Sequence, residues 1–440
     1  MMKRRAFTLA TAAAATGLAL SSCGGTRKAE RGENDEIIVT FWHSMRGNNG
    51  DQLVAYVDEF NKSQDKIIVK QSQQGMYEEA YTKLMQVVGT DDAPDIMQMG
   101  SLRQTLDAGI ITPMQELVDA DDEFDIDSLL PATRGVYTVD DALQYMPQSA
   151  SNNVIFFNVD AFEKAGLDPD DPPRTYSEFA EAARILKEKL DMDAGCAFLI
   201  NGSMFSTLNS AQGEPLLNHN NGWDGAPTEA EFAGEAGVGV MTWLQKMLDA
   251  GTLGNYGRDF DNMRQPWYAG DIAMISDTTA ATMMHEKAAT FAFDCMPLPV
   301  PDGVDPRTAS PGGSGLAIFS DVAEETQKAA FELVKFLVSP KIQARWAANT
   351  GYFPVVDTAW KEKALDDAMT KIPAMKTANT LVKETGDSPD TRGPLSGVSP
   401  DSYIADAWEA VYDGGDPQEE LTKAAKLVDA DLKKYNEANG

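Results

Sequence analysis

The sequence predicts an α/β protein of two lobes. Strand-like runs alternate with amphipathic helical stretches, this alternation recurs along the chain, and 440 residues exceed the size at which one hydrophobic core stops growing. The first unit is EIIVTFWHS (36–44), a short apolar run rich in β-branched residues. Leu53, Tyr56, Val57 and Phe60 follow at helical spacing, and KIIVKQS (66–72) returns to a strand. Such a start implies parallel strands with helices on the sheet faces.

The pattern continues with a helix near 77–90, a strand at DIMQM (95–99), a helix at 101–108 stopped by Gly109, and a strand at NVIFFN (153–158). Gly166 closes a short helix, and Thr175 with Glu178 has the capping-box spacing that opens the next. Further strands are read at DIAMIS (271–276), FDCMPLP (293–299) and GGSGLAIF (312–319), before a helix at about 323–338 and a mainly helical tail. No internal repeat interrupts this order.

The N-terminus has its own logic. Lys3, Arg4 and Arg5 precede an apolar stretch from Ala6 to Leu20, the layout of a secretory signal. Leu20-Ser21-Ser22-Cys23 resembles the bacterial lipobox, in which the cysteine is acylated and becomes the new N-terminus. Arg4-Arg5-x-Phe7-Thr8 resembles a twin-arginine export signal. The expected layout is therefore a signal peptide over 1–22, lipidated Cys23, and a charged, glycine-containing flexible tether to residue 35 that stays outside the fold. The protein is expected outside the cytoplasm, attached to the cell membrane by that lipid alone. Cys196 and Cys295 sit in apolar surroundings and read as buried thiols.

A net charge of −31 argues against nucleic acid or an anionic lipid surface as partners. The three histidines, His43, His219 and His285, form no metal-ligand or triad spacing, so neither a metal nor a cofactor is expected. DADDEFDIDSLL (119–130) has Phe124 where a calcium loop needs glycine and Leu130 where it needs glutamate, and it reads as a solvated acidic loop. PGGSGL (311–316) matches no nucleophile elbow and no phosphate-binding loop. What remains is a set of loops after strands that carry aromatic and small polar residues: FWHSMRG, GMYEEAY, MGSLRQ and SDTTAAT. Ligands of open α/β sheets sit beyond the carboxyl ends of strands, and aromatic faces with hydroxyl neighbours suit sugars.

TFWHSMRG, GTDDAPDIMQM, the run from Asn152 to Lys187, NNGWDG, WYAGDIAMI, GGSGLAIF and AFELVKFLVSPKIQARWAANTGYFPV occur in an order that resembles the extracellular solute-binding proteins of carbohydrate ABC importers. The similarity covers essentially the whole mature chain and is greatest to the glycerol-3-phosphate-binding branch. It implies a two-lobed periplasmic-binding-protein-like fold with a ligand cleft between hinged lobes, no enzymatic activity, a monomer, and an ABC permease as partner. It also implies three crossings between lobes, placed near Pro147, Pro299 and Ser339, which gives a first lobe of 36–147 plus 299–338 and a second of 148–298 plus 339–440.

Position in these loops and motifs nominates Ser44, Tyr77 and Ser101 on the first lobe, Ser151, Trp223, Thr278, Tyr352 and Tyr403 on the second, and Gly313 near the hinge. In the glycerol-3-phosphate branch, the position matching Ser101 is a carboxylate and the position matching Tyr403 is the phosphate-holding arginine. Tyrosine cannot supply that charge, so the expected ligand is a neutral sugar or oligosaccharide, with glycerol 3-phosphate or a glycerophosphodiester as the alternative and Arg392 as the nearest substitute cation. A secreted glycan-active enzyme would need paired carboxylates across the cleft, and an adhesin would need no small ligand.

Overall fold

The computed structural model describes residues 26–439 apart from 101, 308–310 and 385–391, so Cys23, the leader and Ser101 lie outside the described residues. Two sheets organise the chain. In the first, Ile37–His43 pairs in parallel with Ile67–Gln73 over seven residues and with Ile96–Met99 on its other side. Gly312–Phe319 runs antiparallel to Ile96–Met99 and to Met146–Ser151. The expectation of parallel strands holds for the βαβ units, where a crossover helix fixes direction; the strand that returns from the other lobe has no such constraint.

The second sheet runs in the order Leu253–Gly254, Cys196–Ala197, Met274–Thr278, Asn153–Asn158, Phe293–Met296. Its first three strands are parallel and the last two are joined to them antiparallel. The chain passes between sheets at Asn152, which lies between strands ending at Ser151 and starting at Asn153. It passes back in the segment between Met296 and Gly312.

Helix Glu324–Leu337 covers the first sheet, and helix Pro340–Thr350 lies along Gly47–Ser63, so this helix packs chiefly with the first lobe and not with the second, to which the crossing expected near Ser339 assigned it. There Trp346 meets Tyr56 edge-on at 6.3 Å and Arg345 pairs with Glu59 at 2.8 Å. Helix Pro373–Glu384 packs on Phe293–Met296, while Asp401–Tyr412 and Pro417–Asn439 pack on Gly202–Ser210 and Glu235–Asp249 in the second lobe. The Thr175–Glu178 capping box opens helix Tyr176–Leu190, and Gly166 at φ 74° closes Val159–Ala165. Cys196 and Cys295 are both free and buried.

Residues 27–31 differ from the flexible tether that composition suggests. Glu30–Arg31 forms an edge strand on Ile37–His43, and the Arg27 guanidinium is sunk among Asp95, Asp321 and the carbonyls of Ala93 and Pro94. Composition reports the low apolar content of this stretch, but not the acceptors that one buried arginine finds seventy and three hundred residues away.

Candidate functional site

Between the lobes lies a cavity of about 560 Å³, floored by the strand edge at Gly312 and Gly313 and by Gly100. Its walls combine hydroxyls and amides with aromatic faces. Helix Gly202–Ser210 contributes Ser203, Ser206, Thr207 and Ser210, one face over about two helical turns, capped by Asn201 through bonds from the Ser203 and Met204 amides. Ser151 and Thr278 enter as the last residues of their strands, and Tyr137, Phe260 and Trp223 supply rings. The lobes meet on both flanks: Lys287 Nζ donates to Asn48 at 2.8 Å, and Tyr435 Oη donates to Asp107 at 2.7 Å.

Trp223 is held by an unusual turn. His219, Asn220 and Asn221 all take left-handed backbone angles, followed by Gly222 at φ 86°. Asparagine tolerates this region because its side chain bonds locally. Asn221 is buried, accepts from the Leu216 and Leu217 amides, and donates to the Arg392 carbonyl. A Cβ on Gly222 would sit 2.3 Å from the Leu395 carbonyl, so glycine is required for the turn to lie against segment 392–395. Trp223 Nε1 then donates to Gly393, and the Arg392 guanidinium lies 4.8 Å from the ring centroid.

The nominated residues separate into groups. Ser151, Trp223, Thr278 and Gly313 line the cavity, and Ser101 is outside the described residues between two that do, Gly100 and Leu102. Tyr77 and Tyr352 are not among its lining residues, though both lie close to Tyr137. Burial first, then the closeness of Tyr77, Tyr145 and Tyr352, pushes the Tyr137 hydroxyl well above the ordinary tyrosine range. Burial likewise raises Tyr77, whose hydroxyl faces Ser314, and Tyr352, which stacks on Trp346 at 5.5 Å. Ser44 is buried beside Gln98, which accepts its amide. Tyr403 is not among the cavity residues; its hydroxyl donates to Asp431 on the last helix. The cleft is faced instead by Val398, Ser399, Pro400 and Asp401, just before it.

Sequence reading missed Tyr137, Phe260, Arg103 and Asp401. The hydroxyls at 203, 206, 207 and 210 carried a signal in their helical spacing, but a polar stripe reads equally as a solvated face. Arg103 lines the cavity with its Nε bonded to Asp107 at 2.9 Å, which leaves the two Nη groups for other acceptors. Behind Thr278, the fully buried Asp277 accepts Arg264 through both oxygens, at 2.8 and 3.0 Å, and lies 3.2 Å from His285 Nε2. His285 Nδ1 meets Tyr268 Oη at 3.1 Å. Burial opposes ionisation of Asp277, but His285 and Arg264 outweigh it and hold the carboxyl below its usual range. The network fixes the strand end from which Thr278 enters the cavity. Among the described residues no cluster of three metal-ligating side chains occurs.

Asp401 behaves in the opposite sense. Burial, and then the nearby Glu78 of the first lobe, raise its carboxyl to about 6. A raised carboxyl binds its proton more tightly in the folded form, so its ionisation costs stability as pH rises from about 4 through 6. Melting curves across about pH 5 to 8 should therefore show Asp401→Asn gaining stability relative to the parent toward the alkaline end. A constant difference between the two proteins over that range would contradict the assignment.

Residues 46–344 match the family model described as bacterial extracellular solute-binding protein. The sn-glycerol-3-phosphate-binding periplasmic protein UgpB of Yersinia pseudotuberculosis is 28% identical over 414 residues, covering 91% of this chain and 93% of that one. UgpB of Pectobacterium atrosepticum is 28% identical over 99% of this chain and 98% of its own. Among solved structures, UgpB from Mycobacterium tuberculosis in complex with glycerophosphocholine superposes with a TM-score of 0.75 at 19% identity, covering 90% of this chain and 98% of that one. The cyclic α-maltosyl-1,6-maltose binding protein from Arthrobacter globiformis gives 0.73 at 20% identity, covering 91% and 100%. These similarities establish the two-lobed fold that the motif order implies.

Proposed function

The chain belongs to the bacterial extracellular solute-binding proteins, and from that premise we propose that it is the lipid-anchored receptor of an ABC importer, capturing a sugar or oligosaccharide and delivering it to a membrane permease. The observation that carries this reading is the cavity wall: a dense set of hydroxyls and amides around Trp223, Tyr137 and Phe260, between two lobes. Aromatic faces match the C–H surface of a sugar ring, and the hydroxyls match its rim. Ligand favours the closed form through contacts available only when both lobes are present. No turnover is required of any residue.

One observation favours a second ligand class. Arg103 places a guanidinium on the cavity wall, and arginine grips phosphate oxygens with planar, fixed donors. Tyr403, whose replacement of an arginine argued against phosphate, lies off the cavity. A glycerol phosphate or glycerophosphodiester is therefore the alternative cargo.

Thermal-shift screening of the protein against neutral oligosaccharides, glycerol 3-phosphate and glycerophosphocholine tests the proposal. A ligand at a hundred times its dissociation constant adds about 2.7 kcal/mol of stability. Absence of any shift, or release of hydrolysed product from the oligosaccharides, would overturn the receptor reading. The anchor has its own test. Cys23→Ser should move the protein from the membrane fraction to the medium or soluble envelope fraction with ligand affinity unchanged, and continued membrane retention would contradict lipidation.

A further inference from the structure

Arg27 is an exposed-looking residue in a polar stretch, yet its side chain is only 10% exposed. Its Nη1 donates to the Ala93 carbonyl at 2.7 Å and to Asp95 at 3.1 Å, its Nη2 to the Pro94 carbonyl at 2.7 Å, and its Nε to Asp321 at 3.1 Å. The Arg27 amide donates to the Asp321 carbonyl, and Arg27 bridges to Val322. Three residues later, Glu30–Arg31 begins, zipped antiparallel to the start of Ile37–His43, and Arg31 pairs with Glu325. The segment is thus held by a buried, charge-assisted clamp followed by a short strand.

The clamp and the cleft occupy opposite ends of one sheet. Asp95 precedes strand Ile96–Met99, which delivers Gly100 to the cavity; Gly312 and Gly313 leave the cavity along the strand that ends two residues before Asp321. Gly313 and Asp321 are eight positions apart, the first six of them along the strand, a separation of up to about 26 Å. The pole around the clamp carries exposed charges of both signs: Glu33, Asp91 and Asp92 stand there with Lys28 and Lys66, while Glu30 pairs with Lys70 and Arg31 with Asp35 and Glu325.

We propose that Arg27 is a latch that sets the length of the membrane tether: latched, it holds the clamp's pole of the first lobe at the bilayer with the cleft at the far end, and released, it lets the cleft turn toward the membrane. The inference rests on the lipidation of Cys23 in the reading above. Extended chain spans about 3.5 Å per residue, so Cys23 to Arg27 reaches about 14 Å, short of the distance between the clamp and the cavity floor. With 27–31 released, the reach from Cys23 to Gly32 becomes about 32 Å, more than that distance. Delivery to a permease in the same membrane then requires the clamp to open.

The full-length lipidated protein is reconstituted in phosphatidylethanolamine–phosphatidylglycerol vesicles carrying a headgroup acceptor dye. A donor is attached at Asn34→Cys, beside the latch, or at Met284→Cys, on the exposed helix that faces the first lobe at the cleft. Labelling is selective because Cys196 and Cys295 are buried and burial raises both thiols far above their usual range. Energy transfer should be strong from position 34 and weak from 284, and Arg27→Ala or Asp321→Asn should reduce that contrast at least twofold. Trypsin, which can cut after Lys28 and Arg31, should release the Arg27→Ala protein from vesicles at least tenfold faster than the parent. Equal transfer from both positions in the parent, or an Arg27→Ala protein indistinguishable from it in contrast and release, would overturn the latch. Vesicle association that survives Cys23→Ser would instead overturn the lipid anchor, and the latch with it.

Discussion

Replacing Arg264 with alanine is expected to destabilise the protein by about 3–5 kcal/mol, because it leaves the fully buried Asp277 carboxylate without its bidentate partner. His285 alone cannot satisfy both oxygens, and its contact reaches only Oδ2. Arg264 also lies over the Phe260 ring at 4.4 Å, so the truncation loosens a ring that faces the cavity. The double replacement Arg264→Met with Asp277→Leu removes both charges and should recover most of the loss, since paired removal of a buried ion pair is often close to neutral. Urea unfolding of the three proteins checks this. An Arg264→Ala midpoint within error of the parent would mean that water, not Arg264, satisfies Asp277.

The second large effect is expected at Gly313. Its φ of 148° belongs to a region that residues with a Cβ avoid, and a Cβ there would stand 1.9 Å from the Ser149 carbonyl, inside the backbone of the neighbouring strand. Gly313→Ala must therefore push two paired strands apart at the cavity floor, with an expected cost of about 2–4 kcal/mol. Gly312, one residue earlier, is the control: a Cβ there meets nothing closer than the Ser151 carbonyl at 3.8 Å. Gly312→Ala should unfold near the parent's midpoint while Gly313→Ala does not. Equal midpoints for the two variants would show that the strand pair yields freely.

How much of this was legible beforehand follows from what sequence spacing encodes. Leu53, Tyr56, Val57 and Phe60 are all buried on one helix face, and Thr175 with Glu178 forms the capping box their spacing suggested. Both are local periodicities, and local periodicity survives folding. The Arg264–Asp277–His285 network has no such signature, because three residues at spacings of thirteen and eight become neighbours only once two helices and a strand have packed. Arg27 was invisible for the same reason, with acceptors contributed by two distant loops.

Tyr403 shows the reverse situation. Motif matching placed it at a ligand-contacting position, but helix Asp401–Tyr412 turns it toward Asp431 and leaves Asp401 at the cavity. A shift of two residues in a helix changes the face by about 200°, so motif matching alone does not decide which residue of such a turn meets the ligand.

Titration calorimetry on the ligand identified by the thermal screen, with Trp223→Ala and Tyr403→Ala beside the parent, tests the central claim most directly. The parent should bind one equivalent. Trp223→Ala should weaken binding by about 1–3 kcal/mol, roughly fivefold to 150-fold, through loss of an aromatic face. Tyr403→Ala, which removes a contact to Asp431 outside the cavity, should leave affinity unchanged. Unchanged affinity in Trp223→Ala together with lost binding in Tyr403→Ala would place the ligand elsewhere and contradict the account.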